Sequence, residues 1–453
     1  MNAPAQGYTL GFIQSMITEK SGRASGWFKD LELRSAFQPV YCLPYKRAIG
    51  FDASLRSIDS RGNPVRAETL FGPVENYSET SLLDLLSTTI HVHNFFASRA
   101  RGLLFVNLHP EVFLDSQRTA EFLAALVRHY AVPEGRLVID IPGSVLKDER
   151  LSAPLDGYRR LGCLISIDDF GVDNSNLDTV WNTEPVVVKM GRSVIANATE
   201  DLRARLALPR AVSLLHEMGT LVVMEGVETD REALAAIDAD ADFASGFHFG
   251  APYDNLNEYS EAAPILDAMW SSYKKRAPGR ARETADRASL EEENLHSSGV
   301  KKLRTASPAE INRYREQRRP FISAIQHLAA LVKSGDYFDT ACSEFLALPG
   351  AIRCYLLDAD GRQIDADVTP RHPPAPKGVD FNALAVASQA DWSRRDFFRR
   401  ARSEPEVAQV TRQYCSLSGH TRCVTFSMET TVKGKAVIVC GDVDWSSHAP
   451  ARH

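Results

Sequence analysis

The run "LISIDDFGVDNS" (164–175) sets two adjacent carboxylates, Asp168 and Asp169, at the end of an apolar stretch and follows them with Phe170 and Gly171. Neighbouring acids repel unless a proton, a cation or separation relieves them. A metal site is one answer. The other is strand alternation, with one acid turned to solvent and its neighbour capping the next helix. More polar residues fall in or just beyond similar apolar runs: Asp52 in "IGFDASLRS", Asn107 in "GLLFVNLHP", Asp140 in "RLVIDIPG", Lys189 in "VVVKMGRS", and Glu225 and Glu228 in "LVVMEGVET". Independent helix caps explain some of these, but Lys is a poor cap and Asn107 is followed by Leu-His-Pro. We therefore read a convergent site.

The elements that would position such a site alternate. Between about 35 and 255, apolar runs suited to buried strands exchange with amphipathic stretches such as "TSLLDLLSTTIHVHNFFASRA" and "DLRARLALPRAVSLLHEMG". This alternation predicts an α/β fold with a largely parallel sheet, doubly wound or closed into a barrel. In a barrel the strand ends converge on one face, so residues distant in sequence can meet there. No GxGxxG or Walker-type loop follows the first strand, which argues against a nucleotide-cofactor sheet.

The 453 residues allow two or three domains, and 44% hydrophobic with 24% charged residues is ordinary globular composition. A net charge of −6 gives no electrostatic case for nucleic acid or an acidic membrane. No apolar stretch reaches membrane-spanning length and the N-terminus lacks a secretion signal, so we expect a cytoplasmic protein. The seven cysteines show no CxxC spacing and are expected to be small core residues.

We divide the chain into an N-terminal segment (1–30), the strand–helix body (31–265), a charged linker (266–305), a second domain opened by a helix (306–447) and a short tail (448–453). The linker carries the basic cluster Lys274, Lys275, Arg276, Arg280 and Arg282, which we read as solvated. "SPAEINRYREQRRPFISAIQHLAALV" opens with a Ser-x-x-Glu capping box and predicts a long amphipathic helix. Behind it, "AIRCYLLDADGRQI", "AQVTRQYCSL", "CVTFSMET" and "KAVIVCGDVDW", broken by "DGR", "SGH" and "KGK", predict a small antiparallel sheet with helices on one side.

The body resembles the EAL domains, which bind and hydrolyse the bacterial messenger cyclic di-GMP. The resemblance rests on "FQPVYCLPYKRAIGFDASLRS", "FVNLHP", "IDDFG", "VVVKMGRS", "MEGVET" and "SGFHFGAP", in the family's order and spacing. It implies a modified TIM (β/α)8 barrel whose C-terminal face holds two Mg²⁺ or Mn²⁺ ions. By resemblance Asp52, Asn107, Asp140, Asp168, Asp169 and Glu228 would be metal ligands. Lys189 would orient water or phosphate, Glu225 would take a proton or hold that water, and Gln38 and Arg56 would grip guanine and phosphate. Hard cations held by oxygen ligands suit phosphodiester cleavage. The C-terminal stretch resembles PAS-like and Cache sensors. That likeness implies an α+β domain in which Arg394, Arg395, Phe397, Tyr414 and Asp442 line a pocket for an unknown small ligand; packing of the sheet against the helix is the alternative.

This chain departs from the family pattern. Its signature reads Asp52-Ala53-Ser54, and Asp140 replaces a second glutamate, so two ligands are one methylene shorter. Gly143, Asp173, Gly191 and Ser245 replace residues that shape or anchor the site. We therefore expect a cyclic di-GMP signalling protein acting mainly as a nucleotide-binding or protein-interaction regulator, with weak or no hydrolysis. The alternative is an active metal-dependent phosphodiesterase releasing the linear dinucleotide. A homodimer is expected by resemblance, and a nucleic-acid partner is not expected.

Overall fold

In the computed structural model, the residues described are 8–65, 70, 77–98, 100–172, 177–262, 264–275, 308–371, 387–417 and 422–446. Two compact units divide the chain, one up to residue 263 and one from residue 264.

The first unit is the expected α/β barrel. Eight strands close it: β3 (Leu31–Cys42), β4 (Arg47–Ile58), β6 (Leu103–Asn107), β7 (Leu137–Ile141), β8 (Leu164–Phe170), β9 (Val187–Met190), β10 (Leu221–Met224) and β11 (Phe243–Ala244). From β4 through β6 and on to β11 the neighbours pair in parallel, each joined by a helical crossover. β3 runs against both its neighbours and closes the ring. This reversed strand is what makes the barrel a modified one. The strands are runs of Val, Ile, Leu and Phe buried on both faces, as expected for a sheet lined by helices outside and packed within.

The N-terminal segment belongs to this sheet. β1 (Ile17–Lys20) and β2 (Arg23–Phe28) extend it beyond β3, and β5 (Pro64–Val65) adds to β4. Ala24 and Phe28 are buried on the back of β2. A Cβ on Gly26 would lie 2.9 Å from Ile90 Cδ1, so a larger residue there would push the Ile90 side chain on the helix Tyr77–Ala97 aside.

The second unit holds the expected antiparallel sheet: β12 (Ala351–Asp358), β13 (Gln409–Val410), β14 (Tyr414–Cys415), β15 (Arg422–Val432) and β16 (Lys435–Asp444). The predicted long helix is Pro308–Ser334. Phe321, Ile325, Leu328 and Val332 on it pack with Phe345, Phe426, Val439 and Trp445 in one core. Lys433 (φ 49) and Gly434 (φ 77) make the two-residue turn between β15 and β16, with Val432 opposite Lys435. All seven cysteines are buried. The "SGH" turn and most of the linker, including Arg276, Arg280 and Arg282, lie outside the described residues. No helix among the described residues is long and apolar enough to cross a membrane.

Candidate functional site

The carboxyl ends of the barrel strands gather the acids. Lys189, 1% exposed on β9, is the hub. Its Nζ lies 2.9 Å from Asp140 Oδ2 on β7 and 3.3 Å from Glu225 Oε1 just past β10, and it donates to Asp52 Oδ1 on β4. The same ammonium sits 4.9 Å from the centre of the Phe105 ring. Burial opposes its charge, but Asp140, Asp52 and Glu225 outweigh that cost and hold Lys189 protonated well above the ordinary lysine range.

The acids pay the reciprocal cost. Burial pushes Asp140 up to about 7 despite Lys189. It raises Asp52, and raises Glu225 well above the usual carboxylate range, again against the pull of the lysine. Asp140 Oδ1 is buried with no hydrogen-bond partner among the described residues. Four carboxylates (Asp52, Asp140, Asp168, Glu225) therefore act on one buried ammonium, and the exposed Asp169 stands beside Asp168 and Glu225. Protons relieve that excess at low pH, and a cation relieves it at higher pH.

Oxygen atoms of Asp168, Asp169 and Glu225 all lie within 4.8 Å of one another, close enough to share one divalent ion. Backbone geometry makes this possible. The pairing of β8 with β9 shifts register between Ile167 and Phe170, and Asp169 adopts φ 50 at that irregularity. Strict alternation would send the adjacent carboxylates to opposite faces; the left-handed turn at Asp169 brings both toward Glu225. Aspartate tolerates this conformation better than most residues.

Gly191 is part of the arrangement. A Cβ there would stand 2.8 Å from Asp169 Oδ1 and 2.7 Å from Val172 Cγ2. A side chain at 191 therefore requires Asp169 to move. At Gly143, by contrast, a Cβ would meet nothing nearer than Asp168 O at 4.0 Å. Ser245 is buried, and its N–H donates to Met224 O at 2.9 Å, joining β11 to β10. Asp173 lies outside the described residues.

The remaining residues expected at the site are placed differently. Asn107 ends β6 opposite Asp140, exposed at the rim. Glu228 is ion-paired with Arg192, outside the three-carboxylate group. Gln38 stands opposite Asp52 and donates to Gly246 O at 3.3 Å and Gly250 O at 3.2 Å, tying down that loop. Arg56 lies one strand-length step beyond Ser54 on the same face as Asp52, exposed. Arg192 was not singled out from sequence; its position three residues after Lys189 gave no sign of a bond to Glu228, 36 residues on.

In the second unit, Tyr414 and Asp442 share one buried network. Asp442 accepts from Thr425 Oγ1 at 2.6 Å and Tyr355 OH at 3.3 Å through Oδ1, and from Arg353 Nε at 2.7 Å through Oδ2. Tyr414 OH meets Thr425 Oγ1 at 2.6 Å. Arg353 also donates to Asp367 at 2.8 Å and faces the Tyr355 and Trp392 rings. Phe397 packs edge-on against Tyr355. Arg395 is buried at the start of the helix Asp396–Ser403, and Arg394 lies over Tyr273 at 5.4 Å. Sequence reasoning missed Arg353, Tyr355 and Trp392. The available signal was one arginine inside the apolar run "AIRCYLLD", which needed an acid such as Asp442 to be buried.

Comparison with known proteins follows the barrel. The EAL domain family model matches residues 23–252. The cyclic di-GMP phosphodiesterase RocR of Pseudomonas aeruginosa is 28% identical over 155 residues, 33% of this chain and 38% of that protein. The probable cyclic di-GMP phosphodiesterase PdeB of Escherichia coli is 22% identical over 201 residues, 43% of this chain. The match spans 38% of the length of each of these relatives. Among solved structures, the Bacillus subtilis YkuI protein, described with an EAL domain in complex with substrate c-di-GMP and calcium, is similar at TM-score 0.50 and 16% identity, over 92% of this chain and 96% of that one. That likeness is one of fold.

Proposed function

This chain belongs to the EAL-domain family, and from that premise we propose that its barrel binds cyclic di-GMP at the carboxyl ends of the strands and acts mainly as a receptor, with weak hydrolysis. The observation that carries the reading is the division of the acids. The two shortened carboxylates, Asp52 and Asp140, are held by Lys189, and among the described acids the close oxygen set is Asp168, Asp169 and Glu225. Glu228 is ion-paired with Arg192. These three acids fit one hard cation.

A bound Mg²⁺, Mn²⁺ or Ca²⁺ would polarise phosphate oxygens and, in hydrolysis, acidify a water. The protein's own groups do the rest. Asp168, Asp169 and Glu225 would hold the ion, Lys189 orients Asp52 and Asp140, and Gln38 fixes the loop above them. Arg56 offers its guanidinium fork to phosphate. Displacement by about 1 Å can cost roughly a hundredfold in rate, whereas binding tolerates it better. This is why ligand shortening weakens turnover first.

A second reading, an active phosphodiesterase, is favoured by the presence of Lys189 and Glu225 in contact at the heart of the same cluster. Titration and turnover with cyclic di-GMP in Mg²⁺, Mn²⁺ and chelator separate the two. Binding without linear product supports the receptor, product in the metal samples supports the enzyme, and no binding removes both. The second unit would act as a PAS-like or Cache-like sensor that biases this output; its five-stranded antiparallel sheet packed on a long helix supports that reading. A small ligand at its centre would have to displace Arg353 from Asp442. A cytoplasmic homodimer with a protein partner completes the proposal.

A further inference from the structure

β3 and β4 run on beyond their barrel neighbours. β6 pairs with β4 only as far as Asp52, whereas β3 and β4 stay paired to Glu32 and Ile58. The result is a ribbon projecting past the acidic centre. Its back is closed by the helix Tyr77–Ala97, with Ser35 bonded to His91 at 2.8 Å and the Phe37 ring against His91 and Phe95. Its front continues the inner face of the barrel. Directly opposed residues share a face, so that front carries, in successive rows, Gln38 with Asp52, Ala36 with Ser54, and Arg34 with Arg56.

The third row places two guanidinium groups side by side. Like charges directly opposed across strands are unfavourable. Glu32 relieves one of them, pairing with Arg34 at 2.6 Å. Arg56 has no ion-pair partner among the described residues. The row between is low: Ala36 has a methyl group only, and the Ser54 hydroxyl is turned back to donate to Ala36 O at 3.3 Å. Ala36 is buried and Ser54 exposed on that row, and Arg56 stands about 13 Å from Asp52 along the strand at roughly 3.3 Å per residue.

We propose that Arg34 is a second phosphate-gripping residue, acting with Arg56 on the phosphate of a cyclic dinucleotide that lies farther from the acidic centre. The inference rests on the nucleotide-binding reading above and adds the residue that sets charge preference at the rim. A dianionic ligand held at one end through a cation on the acids supplies at its other end the countercharge that Glu32 alone does not. The arginine forks offer paired donors to phosphate oxygens. A ligand with a single phosphate reaches the cation or the arginines, not both.

The test is calorimetric titration of the full chain with cyclic di-GMP in calcium at two salt concentrations. Arg34→Ala is expected to weaken binding about tenfold and to flatten the salt dependence, as loss of one phosphate contact does. Arg34→Lys is expected to restore the salt dependence and part of the affinity, which loss of folding in Arg34→Ala would not permit. Trp27→Ala, on the neighbouring strand opposite Glu32 and 47% exposed, is expected to leave binding unchanged. Wild-type affinity and salt slope in Arg34→Ala overturn the role of Arg34 while leaving the nucleotide reading intact. No binding by the wild-type chain overturns both.

Discussion

The protein buries two charged clusters, and they are built on different principles. In the barrel, one lysine serves Asp52, Asp140 and Glu225, Asp168 and Asp169 add further charge, and Asp140 Oδ1 has no hydrogen-bond partner among the described residues. In the second unit, both oxygens of Asp442 have donors and Arg353 is shared between two acids and two aromatic rings. The first cluster is short of positive charge and opens at the strand ends. The second is closed and satisfied. A buried polar network with every group satisfied rigidifies a fold, while one left short is poised to take up what it lacks.

The largest expected contrast comes from removing each hub. Arg353→Met leaves Asp442 and Asp367 without their cation and is expected to destabilise the second unit by about 3–5 kcal/mol, as breaking a buried pair does, with no recovery on adding divalent metal. Lys189→Met is expected to abolish nucleotide binding and to cost about 3 kcal/mol in chelator, largely recovered in Mn²⁺ because a cation can replace the ammonium among the acids. Chemical and thermal unfolding with and without metal read both. Equal rescue in the two variants would erase the distinction.

A smaller effect sharpens the barrel side. Divalent metal is expected to raise wild-type stability by about 2.7 kcal/mol when present at a hundredfold excess over its Kd. Metal and protons compete for Glu225, whose carboxyl burial raises well above the usual carboxylate range. The metal-induced gain is therefore expected to be larger at pH 8 than at pH 6. A gain that is the same at pH 6 and pH 8 would mean that metal binds elsewhere.

The smallest effect concerns the helix behind the ribbon. Burial lowers His91 from 6.5 to about 3, so the folded state keeps it neutral while the unfolded state protonates it. Between these values the unfolded state binds more protons, and stability falls as pH drops below 6.5. The slope owed to this group is up to about 1.4 kcal/mol per pH unit. His91→Asn, which can still meet Ser35, is expected to remove that slope in a pH series of unfolding curves.

Much of this was legible in the residues. Apolar runs ending in Asp52, Asp140, Asp168 and Lys189 announced both the strands and the end of the barrel that matters, because a parallel sheet forces such ends together. The antiparallel sheet of the second unit followed from its turns, with Lys433-Gly434 the plainest. Other features were hidden. "RASGWF" lies in the N-terminal segment, for which the sequence predicts no element, and it becomes a strand by pairing with β1 and β3, with Gly26 against the helix Tyr77–Ala97. The ion pair of Glu228 with Arg192 likewise gave no sign in the sequence.

The sequence by itself determined the element types, their order, and the set of acids and bases delivered to one end of the barrel, since these follow from local periodicity and connectivity. Only the tertiary structure decided how those charges are shared: which acids Lys189 neutralises, that the φ 50 turn at Asp169 brings two neighbours to one ion-sized group, and that Arg34 stands opposite Arg56. The physical reason is that Coulomb and hydrogen-bond energies change over an ångström or two, whereas sequence spacing fixes position only to the level of a strand and its face.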